Sequence, residues 1–321
     1  MNILITSAGQ RVSLVRAFQK ELKNIYPQNE VYTTDMFPEL SAACNVSDRY
    51  FTVKRVTDPS YISDLIAICV SNDIKMIVPT IDTELLALAE NKSRFSALGI
   101  HLIVSSPEFV EQCRDKRRIT EFFENKNIPV PKKIDKHAPE FPLFIKPYDG
   151  SLSANTFLIK AAHELTAFHM TNEKFLFMEY IGKEQHDEYT VDMYFDKHST
   201  VKCIVPRKRI LVRAGEVNKG ITCKNSIVPF LKEKLGYIEG AVGCLTVQVF
   251  LNRDSGRIIA IEINPRFGGG YPLSYRAGAN YPLWLINEYF NNESIKYMEN
   301  WEDQLLMLRY DDEVIVHANK N

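Results

Sequence analysis

Residues 258–266 read IIAIEINPR and are followed by FGGG at residues 267–270. The Ile-rich run predicts a buried β-strand. Because strand side chains alternate between two faces, we expect Glu262 and Asn264 side by side on one face, with Arg266 continuing it. A carboxylate and a carboxamide oxygen at that spacing suit a hard cation such as Mg2+. The stretch therefore predicts a cation site beside a fixed positive charge.

A second predicted strand, LTVQVFL at residues 245–251, precedes the first. The segment NRDSG at residues 252–256 is typical of a turn, so the two strands should form a hairpin. Gln248 would then offer a third oxygen from the neighbouring strand. The same pattern also fits a charged pair on the solvent face of an antiparallel hairpin, so the rest of the chain has to decide between the two interpretations.

The composition is that of an ordinary globular protein without a strong electrostatic bias. Of the 321 residues, 45% are hydrophobic and 25% are charged, and the formal net charge is -1. A charge this close to zero argues against a protein built to hold nucleic acid or an anionic membrane surface. The six cysteines show no spacing typical of a zinc site, so we expect buried thiols in a reducing compartment.

The amino terminus and the hydrophobic runs predict where the protein resides. Residues 1–6, MNILIT, enter a predicted strand directly, without the basic and apolar regions of a signal peptide. The sequence has no run of about 18 apolar residues, which a membrane span would need. We therefore expect a soluble, cytoplasmic protein whose partners are neither nucleic acid nor membrane.

Residues 1–112 alternate between strand and helix patterns, which predicts a parallel, doubly wound sheet. Predicted strands lie at 2–6, 31–34, 76–79 and 102–104, and predicted helices at 12–22, 61–71 and 83–91. Such a sheet suggests a nicotinamide-dependent oxidoreductase as one hypothesis. The first turn, however, holds the single glycine Gly9 where the dinucleotide fingerprint needs three, which disfavours that hypothesis.

The remainder of the chain is predicted to be rich in strands. A strand at 142–147 ends near Lys146 and leads into the small-residue segment 148–155, which could lay backbone N–H groups over phosphates. Further strands are predicted at 156–160, 175–182, 188–195, 205–212 and 306–317, a loop at 213–220, and helices after 115, at 227–235 and at 282–291.

Five short motifs follow one another in an order that is typical of a known family. They are DK at 115–116 before a helix closing in IPVP, IKP at 145–147, MEYIG at 178–182, EYTVD at 188–192, and Gln248 ahead of EINPR at 262–266. With these motifs the chain resembles the ATP-grasp superfamily, most closely the branch related to the large subunit of carbamoyl phosphate synthetase. The resemblance covers essentially the whole chain.

The resemblance implies a mixed α/β and α+β fold. A doubly wound N-terminal (pre-ATP-grasp) domain would precede a two-subdomain ATP-grasp fold that holds the nucleotide. We expect three parts: residues 1–112 as the N-terminal domain, 113–175 as the small subdomain with the phosphate loop, and 176–321 as the C-terminal subdomain with the metal site.

The resemblance also implies which residues bind ATP. Lys116 and Lys146 match the positions that contact the α- and β-phosphates. The other matches are Gly150 and Ser151 in the phosphate loop, Glu179 with the backbone of Tyr180 and Ile181 at the adenine, and Glu188 at the ribose. Glu184 remains a rival for the ribose role, because the link from residue 182 to residue 187 is longer than usual.

Metal binding and catalysis follow from the same resemblance. Gln248, Glu262 and Asn264 match the ligands of Mg2+, or of Mn2+ in its place, and Arg266 matches the arginine near the transferred phosphate. Substrate recognition is expected in residues 207–220 and 267–276. There Arg276, and with less support Arg213, could hold a substrate carboxylate through two hydrogen bonds. The expected catalytic set is therefore Arg266, Lys146 and Arg276.

The activity that the resemblance implies is ligation of a carboxylate to an amine. ATP would activate a small-molecule carboxylate, such as that of an amino acid, as an acyl phosphate, and an amine would then displace the phosphate. Two alternatives stay open: a carbamoyl-phosphate-type or kinase-like enzyme with another acceptor, and a nucleotide-binding protein without turnover. If the chain self-associates, a homodimer is the common case.

Overall fold

The computed structural model describes residues 1–150, 155–213 and 215–317, and in these ranges the chain forms three β-sheets with helices packed around them. One sheet is parallel and the other two are antiparallel. The prediction of a mixed α/β and α+β fold with a doubly wound N-terminal part is therefore confirmed. The predicted residue Ser151 lies outside the described residues.

The N-terminal part is a five-stranded parallel sheet with the strand order β3-β2-β1-β4-β5. Its elements are β1 (Asn2–Thr6), α1 (Val12–Ile25), β2 (Val31–Asp35), α2 (Ala42–Val46), β3 (Arg49–Thr52), α3 (Tyr61–Ser71), β4 (Ile74–Pro79), α4 (Asp82–Glu90), α5 (Lys92–Ser96) and β5 (His101–Leu102). The strand order reverses between β1 and β4. In sheets of this class, ligands bind beyond the carboxyl ends of the strands at such a reversal.

The apolar runs of the central strands explain why this sheet is buried on both faces. Ile3 and Ile5 pack into the core on the α1 side, while Leu4 belongs to the core on the opposite side. Strands buried on two faces read as continuous apolar runs rather than as alternating ones, as β1 and β4 do. β3 and α2 were not predicted, because four-residue and five-residue elements carry too little periodicity to be recognised.

The middle part combines two helices with a three-stranded antiparallel sheet of order β7-β6-β8. Its elements are α6 (Pro107–Arg114), α7 (Lys116–Asn125), β6 (Leu143–Pro147), β7 (Phe157–Ile159), α8 (Ala167–Thr171) and β8 (Phe175–Glu179). Asp115 separates α6 from α7 and caps α7 by accepting a hydrogen bond from the backbone N–H of Arg117 at 2.9 Å. The small sheet ends at Glu179, beyond the expected boundary at 175, and the division into domains stays a prediction.

The C-terminal part is a six-stranded antiparallel sheet of order β13-β12-β9-β10-β11-β14. Its elements are β9 (His186–Phe195), β10 (Val201–Arg213), β11 (Glu216–Thr222), α9 (Ile227–Leu235), β12 (Gly243–Asn252), β13 (Ile258–Asn264), α10 (Tyr271–Arg276), α11 (Tyr281–Tyr289) and β14 (Leu306–Leu308). The predicted hairpin is confirmed: in the pairing of β12 with β13, Gln248 lies opposite Glu262 and Thr246 opposite Asn264.

Two predictions in this region are wrong. The expected loop at 213–220 is mostly strand β11, which pairs with β10 after a tight turn at Gly215, whose φ of +79° suits a glycine. The expected strand at 306–317 is limited to the three residues of β14. Carboxylates at 311–313 follow it, so the apolar alternation that would sustain a strand stops there.

A shared core joins the N-terminal and C-terminal parts. Helix α1 packs against α10 and α11, and the ring of Phe18 on α1 meets the ring of Phe267 edge-on, with 5.9 Å between centroids. Burying a large apolar side chain such as Phe18 stabilises the fold by about 1.5–3 kcal/mol. This packing holds the first loop of the parallel sheet, just before α1, near the end of β13.

Two sequence expectations concern helices and cysteines. In the described ranges no helix is both long enough and apolar enough to cross a membrane. All six cysteines are free thiols, and four of them are buried. Cys113 and Cys223 are only partly buried, which corrects the expectation of six buried thiols.

Candidate active site

A large cavity lies where the three sheets meet. Its volume is about 700 Å³, within the range of about 300–1,000 Å³ typical of small-molecule sites. All three sheets contribute to its wall, for example through Asp82 after β4, Lys146 on β6 and Glu262 on β13. We call the part around Lys116, Lys146 and Glu262 the phosphate end, and the part around Arg11, Asp82, Glu216 and Arg266 the arginine end.

Two lysines define the phosphate end, as predicted from the sequence. Lys146 extends from β6 and is 7% exposed, while Lys116 begins α7. Lys116 is tied to the start of the phosphate loop, because its Nζ donates to the carbonyl oxygen of Gly150 and its backbone N–H donates to that of Tyr148 at 2.9 Å. The geometry therefore brings both lysines and Gly150 to one place, although their roles stay predictions.

The environment of Lys146 makes its charge sensitive to ligands. Burial lowers the pKa of Lys146 to about 8, with the charge of Glu262 acting in the opposite direction and the charge of Lys116 adding to the decrease. The buried ammonium group of Lys146 is poorly solvated, and an anion between Lys116 and Lys146 would compensate its charge. Such a site suits the phosphates of a nucleotide.

The predicted adenine hinge borders the cavity at the end of β8. Glu179, Tyr180 and Ile181 line the wall together with Phe144. The carboxylate of Glu179 accepts a hydrogen bond from the backbone N–H of Lys132 at 3.1 Å, and this bond joins the end of β8 to the segment at Lys132. Strand pairing ends at Glu179, and the backbone of the next two residues continues along the cavity beside apolar walls.

Glu188, the predicted ribose carboxylate, lines the cavity, whereas its rival Glu184 is exposed and does not. The structure adds a partner that the sequence did not reveal. Arg209 on β10 lies beside Glu188, with 3.0 Å between Arg209 Nε and Glu188 Oε1. The role of Glu188 at the ribose stays a prediction. A bound ribose would share the carboxylate of Glu188 with Arg209.

The three predicted metal ligands lie on one face of the β12–β13 hairpin. Gln248 is directly opposite Glu262 in the strand pairing, and Asn264 donates from its Nδ2 to Glu262 Oε1 at 3.1 Å. All three side chains line the cavity. Two carboxamides and one carboxylate form the oxygen-rich, weakly charged set that suits Mg2+ when substrate phosphates complete the coordination. In the described residues no group of three or more His, Cys, Asp and Glu could hold a metal ion.

Arg266 connects the C-terminal sheet to the parallel sheet. Its Nη2 donates to Asp82 Oδ2 at 2.8 Å, across 184 residues of sequence. Its Nε is buried and has no hydrogen-bond partner among the described residues. Since a buried N–H without a partner is costly, the unused donor favours an anion in the cavity. Asp82 was not predicted as a site residue.

A buried ion pair supports the glycines that follow Arg266. Arg207 is 1% exposed and binds Asp192 through two hydrogen bonds, of 2.7 Å and 2.9 Å, while Ser274 donates to the same carboxylate. A side chain on Gly270 would collide with Arg207 Nη1, so only glycine lets the loop lie on the guanidinium. Removing one partner of such a buried pair typically costs about 3–5 kcal/mol.

The structure does not bring the two other predicted arginines to the cavity. Arg276 ends α10, is exposed, and has its guanidinium 6.0 Å from the ring centroid of Tyr275. Arg213 pairs with Asp311 at the surface. Neither lines the cavity. The structure thus does not bring Arg276 together with Lys146 and Arg266, because helix α10 turns it away from the glycine loop that precedes it in sequence.

The residues that sequence reasoning missed cluster at the arginine end. Arg11 follows β1 and Asp82 follows β4, so both lie beyond the carboxyl ends of the two strands between which the order of the sheet reverses. This position was the signal that could have found them. Glu216 lies inside the stretch 207–220, where substrate recognition was expected. Because residues 213–220 were predicted as a loop and not as a strand, the direction of the Glu216 side chain could not be predicted.

Two family models match separate parts of the chain. The model described as the PylC-like N-terminal domain matches residues 3–103. The model described as ATP-grasp in the biosynthetic pathway with Ter operon matches residues 171–311. No curated protein matches the sequence.

Solved structures share the fold at low sequence identity. The biotin carboxylase domain of the Hydrogenobacter thermophilus 2-oxoglutarate carboxylase, solved as a dimer with MgADP, ADP and bicarbonate, has a TM-score of 0.72 and 14% identity over 95% of this chain and 73% of its own. The N5-carboxyaminoimidazole ribonucleotide synthetase of Thermotoga maritima has a TM-score of 0.63 and 19% identity over 95% and 79%. The L-amino acid ligase of Bacillus licheniformis has a TM-score of 0.65 and 16% identity over 90% and 73%.

These likenesses concern the fold, since all three identities are below 20%. The ATP-grasp model, in contrast, matches the sequence of the part that carries Glu179, Glu262 and Arg266. The fold, the two family models and the cavity agree with one another. The chain belongs to the ATP-grasp superfamily.

Proposed function

We propose that this protein is an ATP- and Mg2+-dependent ligase that activates a small-molecule carboxylate as an acyl phosphate and joins it to an amine. The observation that carries the proposal is the cavity itself. It combines two lysines and an oxygen-rich ligand set at the phosphate end with arginines at the other end. Phosphoryl transfer asks a protein mainly for positioning and charge neutralisation, which these groups provide.

The phosphate end would bind ATP. Lys116 and Lys146 would neutralise the phosphates, next to the backbone of Gly150. The adenine would lie at the hinge of Tyr180 and Ile181, where backbone groups and the apolar wall of Phe144 surround it. MgADP bound to the H. thermophilus domain, which shares this fold, supports ATP as the nucleotide.

The ligand set fits a magnesium ion by its chemistry. Gln248, Glu262 and Asn264 present oxygens on one strand face, and Lys146 lies near enough for the charge of Glu262 to act on its pKa. When bound, Mg2+ would draw charge away from the phosphate oxygens and so favour the departure of ADP. With only one carboxylate in the set, we expect tight metal binding only in the presence of nucleotide.

The arginine end would hold the carboxylate. One oxygen of that carboxylate attacks the γ-phosphorus, the bond from phosphorus to the bridging oxygen breaks, and ADP leaves with the electron pair. The amine nitrogen then attacks the carbonyl carbon, loses a proton, and releases inorganic phosphate. Arg266 would orient the carboxylate and stabilise the charge that develops on the transferred group.

No side chain has to act as a covalent nucleophile in this scheme. Cys113 lines the cavity, but burial raises the pKa of its thiol well above the ordinary value, and the charges of Asp82 and Glu262 raise it further. The thiol therefore stays protonated at neutral pH and is a poor nucleophile. The L-amino acid ligase and the synthetase with the same fold support ligase chemistry for this chain.

The proposal is tested by supplying Mg2+-ATP, hydroxylamine and a panel of carboxylates. Hydroxylamine intercepts an acyl phosphate as a stable hydroxamate, so we expect ADP and hydroxamate in equal amounts with one class of carboxylate. ADP formed with an acceptor but without hydroxamate would favour the kinase-like alternative. ATP binding without turnover on any member of the panel would contradict the ligase and favour a nucleotide-binding protein.

The oligomeric state of the protein is a separate proposal. The H. thermophilus domain was solved as a dimer, which supports a homodimer for this chain. Sedimentation equilibrium at several protein concentrations measures the mass directly. A homodimer gives twice the chain mass of 36.9 kDa, and a single species at the chain mass would contradict it.

A further inference from the structure

Two oppositely charged side chains face each other at the arginine end, and each comes from a different part of the fold. Arg11 belongs to the loop between β1 and α1, and Glu216 begins β11. The distance from Arg11 Nη1 to Glu216 Oε1 is 3.8 Å. The two groups are thus close enough to attract but too far apart for a hydrogen bond. Both line the cavity.

The loop that carries Arg11 is held rigidly. Ser7 has a φ of 51°, a left-handed conformation that is unusual for serine. It is fixed by a hydrogen bond of 2.9 Å from its Oγ to the buried carboxylate of Glu84. The backbone N–H of Arg11 donates to the carbonyl oxygen of Ala8 at 2.8 Å. Such a loop presents the guanidinium without a large entropic cost of ordering it.

Arg11 has an unused donor in a buried position. Its Nη1 is buried and has no hydrogen-bond partner among the described residues. Burial and the nearby positive charge of Arg266 lower the pKa of Arg11. A carboxylate placed beside both arginines would supply the missing acceptor and relieve the repulsion between them.

Only one of the two carboxylate oxygens of Glu216 accepts a hydrogen bond from Arg309. Arg309 donates from Nη1 to Glu216 Oε2 at 2.9 Å, which leaves Oε1 towards Arg11. A side chain on Gly269 would come within 2.5 Å of both carboxylate oxygens of Glu216, so the carboxylate packs directly against the glycine loop. Burial opposes ionisation, but the hydrogen bond from Arg309 and the charges of Arg11 and Arg309 outweigh it and lower the pKa of Glu216.

We propose that Arg11 and Glu216 form a head-group subsite for a zwitterionic α-amino acid, which binds Arg11 through its carboxylate and Glu216 through its ammonium group. This inference rests on the proposed ligase function and narrows its carboxylate substrate. The carboxylate held by Arg11 would be the one that is activated, because Arg11 and Arg266 line the same end of the cavity. The ammonium group stays paired with Glu216 and does not act as the nucleophile.

The pair of charges discriminates among carboxylates. A simple carboxylic acid satisfies Arg11 but offers no ammonium group to Oε1 of Glu216, and an N-acetylated amino acid does the same while adding bulk beside Gly269. A second negative charge in place of the ammonium group would be repelled by Glu216. Sites built to bind a polar group reject analogues that lack it more strongly than apolar pockets reject a missing methylene.

The test compares matched carboxylates in the hydroxamate assay on the full chain. Each of the twenty standard L-amino acids is compared with its N-acetyl derivative and with the corresponding acid that lacks the amino group. We expect free amino acids to be used, with kcat/KM at least about 30-fold higher than for either analogue. Glu216→Gln should shrink this preference to about threefold, since the neutral side chain no longer separates the two classes.

Variants separate recognition from chemistry. Arg11→Gln and Glu216→Gln should each raise the KM for the amino acid about 10-fold or more, with a smaller change in kcat. Arg16→Gln, on the exposed face of α1, and Glu293→Gln, at the surface after α11, are the matched controls and should retain the wild-type KM. Circular dichroism melting of each variant checks that the fold is kept.

The outcomes distinguish this inference from the proposed function. Equal use of free, N-acetylated and deaminated carboxylates, or hydroxamate only from carboxylates without an amino group, would overturn the subsite while leaving the ligase intact. An unchanged KM in both Arg11→Gln and Glu216→Gln would also overturn it. Hydroxamate from no carboxylate of any class would overturn the ligase and the subsite together.

Discussion

The phosphate end and the arginine end of the cavity are assembled in different ways. At the phosphate end, Lys116, Lys146 and the oxygen set around Glu262 each belong to a short motif of the sequence. At the arginine end, Arg11 and Asp82 belong to no such motif and follow two different strands of the parallel sheet. Local motifs thus mark the part of the cavity where we propose the nucleotide, whereas the part proposed for the substrate depends on how separate sheets meet.

The difference has a functional meaning. Each residue of the phosphate end belongs to a short motif that fixes its local position, although the motifs come from different sheets. The arginine end is built from ion pairs between parts, such as Asp82 with Arg266 across 184 residues. A fold can therefore keep one nucleotide site and change its substrate by altering loops at the other end.

The largest expected effect belongs to the phosphate end. Glu262→Gln removes the only carboxylate of the predicted metal set while preserving the shape of the side chain. We expect ADP formation to fall by roughly 100-fold or more, because the charge on the transferred group loses its stabilisation. The rate is measured at saturating ATP over a series of Mg2+ concentrations. Glu121→Gln, an exposed acid on α7, is the control, and a folded Glu262→Gln protein with normal turnover would refute the metal assignment.

A second prediction uses the pH dependence of Lys146. Its pKa is lowered to about 8 by burial, so its side chain is charged below pH 8 and becomes neutral as the pH rises through that value. We therefore expect the affinity for ATP, measured in EDTA so that no cation intervenes, to decrease about 10-fold between pH 7 and pH 9.5.

Lys146→Arg is the matched variant for that titration. Arginine keeps its charge over the whole range, so the variant should show a flatter pH dependence even if its affinity at pH 7 is lower. The dissociation constants come from titrations with a fluorescent ATP analogue at each pH. Parallel curves for the wild type and Lys146→Arg would mean that Lys146 does not control nucleotide binding.

The smallest expected effect probes the arginine end through Asp82. Asp82→Asn weakens the ion pair that holds Arg266, so we expect kcat to fall about fivefold, as for the loss of one charge-assisted hydrogen bond. The KM for ATP should change less, because Asp82 belongs to the arginine end. Asp82→Glu restores the charge and should recover part of kcat. Equal losses in Asp82→Asn and Asp82→Glu would indicate a purely structural role.

How well the fold could be predicted also depends on whether the signal for each element is local in the sequence. The parallel sheet and the β12–β13 hairpin were predicted because their apolar runs and turn residues are local signals. The β10–β11 hairpin was missed, because the polar run after Arg213 resembles a loop and only its pairing with β10 makes it a strand. Elements that depend on tertiary pairing carry little signal of their own.

The same reason explains the site residues. Glu262 and Asn264 lie two residues apart on one strand, so their side chains share a face by geometry alone. Arg11 and Glu216, in contrast, are neighbours only because α1 packs against α10 and α11 and brings the first loop to β11. Arg276 was misplaced because the turn of α10 decides its direction, and the sequence pattern did not predict that helix.

The central claim is that a substrate carboxylate takes the γ-phosphoryl group from ATP. The most direct test follows oxygen atoms with a carboxylate substrate labelled with 18O. Attack by the carboxylate and later displacement by the amine must carry one carboxylate oxygen into inorganic phosphate. We therefore predict phosphate with one 18O atom, seen by its shifted 31P resonance. Unlabelled phosphate released during amide formation, or a stable phosphorylated product that keeps the label, would contradict the account.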